Sequence, residues 1–152
     1  MTEASQEARP PGRLRALTSW QTNKVSVLGA RLTAQRMPLS ARADFAILAA
    51  LDEYGPLSQA ELGRRLGLDR NDVNAVLNRL QEGRHVRRNP DQADRRRNVV
   101  TMTAAGRRYL LDLEGHADEV QDELLHGLSA AERRQLTALL AKLLDSHAPQ
   151  PA

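Results

Sequence analysis

Apolar residues recur at helical spacing along most of this chain and at strand spacing in one short stretch near its middle. Leu14, Leu17, Val25, Leu28 and Leu32 share roughly one face of a helix predicted over 13–36, which Met37-Pro38 ends. Ser40 then caps a second helix to about Tyr54 that carries Phe45, Leu48 and Leu51, and Gly55-Pro56 stops it. Ser58-Gln59-Ala60-Glu61 has the form of a capping box, in which hydroxyl and carboxylate each satisfy an orphan N–H at a helix start. That helix is short, because Gly67 follows Leu66, and Asp69 caps the next one, Arg70 to about Glu82. Two capped helices around a short glycine-containing turn make a helix-turn-helix. Val86 opens a strand, Asn89-Pro90-Asp91 turns the chain, and the β-branched run Asn98 to Met102 returns. Thr103 caps a helix to about Leu125, and a second capping box, Ser129 to Glu132, opens the last one. There Leu136, Leu139, Leu140, Leu143 and Leu144 have the spacing of a buried stripe.

The resulting expectation is a mostly α protein in one domain, 13–147, with a winged helix-turn-helix at 38–103, a two-stranded β wing and long flanking helices at 13–36 and 104–147. Residues 1–12 read as a flexible arm and 148–152 as a disordered tail. Composition agrees, since aromatics are 3% of the chain and favour neither sandwich nor barrel. The absence of cysteine excludes disulfides, thiolate metal sites and thiol redox chemistry. The longest apolar run, Phe45 to Leu51, is too short to span a bilayer, so a soluble, cytoplasmic protein without a membrane partner is expected.

Charge is unevenly placed. From Leu57 to Arg108 twelve arginines face six acids, a net +6, while the remainder holds ten bases against thirteen acids, a net −3. Six of those arginines lie between Arg84 and Arg97, a density that self-repulsion makes costly unless a polyanion or a water-exposed loop receives it. In the helix from Arg70, the spacing turns Val73, Val76, Leu77 and Leu80 inward and Asn71, Asn74, Ala75 and Asn78 outward, with Arg70 at the first turn and Arg79 to one side. Asn costs a helix roughly 0.5 kcal/mol relative to Ala at an exposed site, so three on one outer face point to selection for something else. An Asn amide can donate to N7 and accept from N6 of adenine, which predicts A·T pairs in a bound site; a plain solvated face is the alternative. Arginine in the wing suits a narrow minor groove, because its guanidinium is weakly hydrated. His85, His116, His126 and His147 lack metal-ligand spacing and read as surface residues. No nucleophile beside a base, P-loop or dinucleotide fingerprint is present, so neither an enzyme nor a cofactor is expected.

The span Pro38 to Leu110 resembles the winged helix of the multiple antibiotic resistance regulator (MarR) family. The resemblance is carried by Gly55-Pro56-Leu57-Ser58-Gln59-Ala60-Glu61-Leu62 and by Asp94-Arg95-Arg96 followed by Val99 to Gly106. It implies a homodimer on double-stranded DNA, the flanking helices interlocking as dimerisation helices and the two recognition helices entering successive major grooves. Family members mostly repress transcription, and many release DNA when a small, often aromatic, effector enters a pocket between dimer helices and winged helix. By position, Arg96 resembles the wing arginine that enters the minor groove and Asp94 the acid that orients it, with Arg95 and Arg97 beside them. Arg70, Asn71, Asn74, Ala75, Asn78 and Arg79 fall in the recognition helix, Ser58 and Gln59 at the DNA backbone, and Trp20, Asn23 and Phe45 at the effector pocket. The chain departs from the common pattern at Ala75, Asn78 and Ala93, and in Gly83-Arg84-His85, where the glycine stands one place early. A winged-helix protein-interaction or architectural DNA-binding module without ligand response is the second expectation, resting on Ala75 and the acids Asp69, Asp72 and Glu82.

Overall fold

A computed structural model describes residues 9–148. The described residues form seven helices, α1 (Gly12–Arg15), α2 (Thr18–Arg36), α3 (Leu39–Tyr54), α4 (Gln59–Leu66), α5 (Arg70–Glu82), α6 (Ala104–Leu124) and α7 (Ala130–His147). Between them lie three strands, β1 (Leu57–Ser58), β2 (Val86–Pro90) and β3 (Asn98–Met102). The expected arm and tail fall largely outside the described residues.

Both capping boxes form, at Ser58 with Glu61 and at Ser129 with Glu132, and Asp69 and Thr103 accept from the backbone N–H groups of Asp72 and Gly106. Gly67 ends α4 at φ 64, a left-handed conformation that makes the helix-turn-helix corner inexpensive. Three expectations need correction. The first helix is broken at Ala16 and Leu17, where Leu17 is extended and the amide of Gln21 takes the Arg15 carbonyl. Thr18 and Ser19, poor helix formers that follow the break, are the only local hint of it. Ser40 does not cap α3; Pro38 stands at the cap without a side-chain bond, its fixed φ suited to a helix start. Asn89 and Pro90 continue β2 instead of turning, so the reversal falls at 91–97. Pro90 is tolerated there because β2 is an edge strand. The sheet also gains a third strand, since Leu57 and Ser58 pair with Val100 and Val99 in the order β1-β3-β2.

The core lies between α3, α4, α5 and the sheet. Ile47, Leu48, Leu51, Leu62, Val73, Leu77, Leu80, Val86 and Val100 are all buried within it, and Leu110 extends it to α6. The inward stripe read for α5 is buried in full. A smaller cluster of Met37, Ala41 and Leu113 adjoins it through Phe45 and Tyr109. Within one chain the stripe read for α7 has no cover: none of its described residues is buried, and Leu144 is 73% exposed. Leu14, Leu17, Val25 and Leu28 are likewise exposed.

Candidate nucleic-acid interface

The described residues with the greatest local cationic character surround α5. Asp69 Oδ1 accepts from Asp72 N at 2.8 Å and fixes the helix start, and packing of the valine and leucine stripe then holds Asn71, Asn74, Ala75 and Asn78 outward, all exposed. Arg70 is exposed at the first turn. The outer row is not free, however. Arg88, projecting from β2, donates through Nη1 to Asn74 Oδ1 at 3.1 Å, through Nη2 to Asn78 Oδ1 at 2.5 Å and through Nε to Gln81 Oε1 at 2.6 Å.

Arg79 is committed elsewhere. Its Nη2 and Nε lie 2.5 and 3.2 Å from Asp44 Oδ1, and Nη2 also donates to the Ser40 carbonyl at 3.1 Å. Asp44 is buried, and Tyr109 donates to its other oxygen at 2.9 Å, so the carboxylate is held by two neighbouring elements. Tyr109 in turn stacks on His85, ring centroids 4.5 Å apart, which makes His85 a half-buried packing residue and not the surface histidine expected. The Tyr109 phenol is pushed up to about 12, first by burial, then by its hydrogen bond to Asp44 and the charge there, with Arg79 opposing.

The wing tip is folded by its own acids. Asp91 Oδ1 accepts from Ala93 N at 2.9 Å, and Asp94 Oδ1 accepts from Arg96 N at 3.1 Å and Arg96 Nε at 3.3 Å. Arg96 nevertheless projects into water, its side chain 92% exposed, and Arg95 is exposed beside it. Arg97 turns back, donating to Ser58 Oγ at 3.3 Å, and Asn98 donates to Gln59 Oε1 at 3.4 Å. An open cleft of about 570 Å³ lies between wing and helix-turn-helix, with Arg64, Arg70, Arg96 and Arg97 among its lining residues and no described carboxylate in its wall. Ser58 is buried, and its hydroxyl is engaged by Glu61 and Arg97. The hydrogen bonds from the Ser58 hydroxyl and backbone hold the Glu61 carboxyl below the usual range.

At the base of the wing, Arg84 takes φ 60 and Gly83 stays right-handed. The left-handed position has therefore kept its place in the chain although its residue is arginine. Gly83 instead leaves room for the His85 ring, which a Cβ there would meet at 2.7 Å.

Trp20, Asn23 and Phe45 lie outside the cleft beside the wing. Trp20 is half-exposed with Lys24 Nζ 5.4 Å from its ring centroid, Asn23 is exposed, and Phe45 packs between the two core clusters. Sequence reasoning missed Asp44, Tyr109 and Arg88. Asp44 carried one signal, a carboxylate on the apolar face of a predicted helix.

Residues 39–97 match the family model described as MarR family. A probable transcriptional regulator of Pseudomonas aeruginosa, known as a crystal structure, is 30% identical, with a TM-score of 0.70 over 86% of this chain and 98% of that one. The chain belongs to the MarR family. Its winged helix-turn-helix is that of solved MarR-family structures. The HTH-type transcriptional repressor NicR of Pseudomonas putida is 33% identical over 102 residues, 67% of this chain. That match spans 65% of NicR, slightly less than two thirds of its length. BpsR of Bordetella bronchiseptica, whose DNA binding is regulated by 6-hydroxynicotinic acid, is 27% identical with a TM-score of 0.68, over 81% of this chain and 95% of its own.

Proposed function

We propose that this MarR-family chain is a sequence-specific DNA-binding transcriptional regulator, a repressor that binds a pseudo-palindromic operator as a homodimer. The observation that carries the reading is the join of α5 to the wing: an exposed row of amides beside a cleft with four arginines and no described carboxylate in its wall. Amides read base edges, and guanidinium groups neutralise phosphate. Asn71, Asn74, Ala75 and Asn78 would face the major groove, with Arg70 and Gln59 near the backbone. Arg96, backed by Asp94, would enter the minor groove, with Arg95 and Arg97 beside it. Arg79 and Ser58 are left out, one paired with Asp44 and the other buried.

The proposed domain is 13–147, its flanking helices pairing with those of a second copy. Two-fold symmetry sets half-sites roughly 10 bp apart. BpsR supports an effector of aromatic-acid type, and Trp20, Asn23 and Phe45 are the proposed lining, completed by the partner's helices.

Selection from a random duplex pool at about physiological ionic strength tests this, because non-specific attraction is suppressed there. A two-fold motif is expected, bound with an affinity that falls steeply as salt rises. Arg96→Ala should weaken binding to all sequences, whereas Asn74→Ala should relax one position per half-site. Binding that ignores both salt and sequence would overturn the proposal.

A further inference from the structure

One arginine that lies outside the proposed DNA contacts governs which way the recognition amides face. Asn74, Asn78 and Gln81 stand at i, i+4 and i+7 of α5, one above another on the side nearest β2. The half-buried Arg88 reaches all three with Nη1, Nη2 and Nε. A guanidinium has donors and no acceptor, so each amide must turn its oxygen towards it and its NH2 away. An amide flipped the other way would set N–H against N–H next to a full positive charge. The orientation is therefore dictated by chemistry as well as by distance.

This changes what the helix presents. A free Asn offers adenine one donor and one acceptor; an Asn whose oxygen is turned to Arg88 presents its NH2 group on the far side, and the oxygen's remaining lone pair stays beside the cation. Guanine shows two acceptors in the major groove, N7 and O6, whereas adenine sets an amino donor beside its N7. That donor would meet an NH2 group with the Arg88 cation behind it, and guanine O6 would be attracted by both. We infer that Arg88 is a specificity-determining positioning residue, orienting Asn74 and Asn78 to read guanine and to reject adenine. The inference rests on the proposed DNA-binding function, and it replaces the A·T pairs expected from the sequence at those positions.

The test is duplex selection with the full chain and with Arg88→Met, which keeps the length and apolar stem but removes the donors. The unaltered protein should enrich guanine at fixed places in each half-site. Arg88→Met should keep the half-site spacing and lose about tenfold in preference for guanine over adenine there. Adenine enriched by the unaltered protein, or an unchanged guanine preference in Arg88→Met, would overturn the role of Arg88 and leave the regulator reading intact. No enriched sequence from the folded, unaltered protein would overturn both. Should Arg88→Met fail to fold, nitrogen-15 NMR of the unaltered protein decides instead: exchange of the Arg88 Nε–H with water is expected to be slower than that of Arg95, and equal rates reject the clamp.

Discussion

Asp44 is a charged group in a place where charge is costly, 4% exposed beneath α5. Its oxygens are divided between Arg79 and Tyr109, so the three side chains tie α3 to α5 and α6. The tie gives an alkaline signature. Folding raises the Tyr109 phenol from its ordinary value near 10 to about 12. The stability contributed by the protonated phenol is fully present below about pH 10 and is lost as pH rises through about 12. Urea midpoints should fall between pH 10 and 12, and Tyr109→Phe should flatten that limb; an unchanged limb in the variant would place its cause elsewhere. Arg79 was legible as charged and set to one side of α5, but its partner lies 35 positions away, and periodicity within one helix carries no information about an acid on another.

At the level of elements, the joint between wing and α6 has little slack. Thr103 caps α6 and donates to the Arg84 carbonyl at 2.7 Å, and a Cβ on Gly106 would sit 2.1 Å from the His85 carbonyl oxygen. That oxygen belongs to the backbone and cannot swing aside. Gly106→Ala is therefore expected to cost about 3 kcal/mol, read as a lower urea midpoint, with wing-dependent binding impaired before folding is lost. Capping boxes, the inward stripe of α5, strand β3 and the start of β2 were readable, because each depends on residues within a few positions of one another. Strand β1 was not, since two residues acquire strand identity only by pairing with Val99 and Val100. The Arg88 contacts escaped for the same reason: alternation along β2 gives a face, and which helix occupies it is a tertiary fact. The break at Ala16 and Leu17 has a single weak cue in the two hydroxyl residues beyond it.

Across the whole molecule, apolar residues are left uncovered at both ends of the chain. Leu139, Leu140, Leu143 and Leu144 line α7, and Leu14, Leu17, Val25, Val27 and Leu28 are exposed on or beside α1 and α2. Such patches mark association surfaces, and this is where the proposed homodimer would close. Leu143→Glu combined with Leu144→Glu should give a folded monomer by sedimentation and lower operator affinity by about 100-fold, because each half-site would then be bound alone. A variant that stays dimeric would move the interface to the other helices. Symmetry also bears on how such a regulator diverges. Arg88 holds three amides at once, so in the proposed homodimer, where every change would be repeated in the second copy, a single altered codon at position 88 would rewrite several operator bases together. Its targets would shift in jumps, and a duplicated gene could leave its parent's promoters in one mutational step.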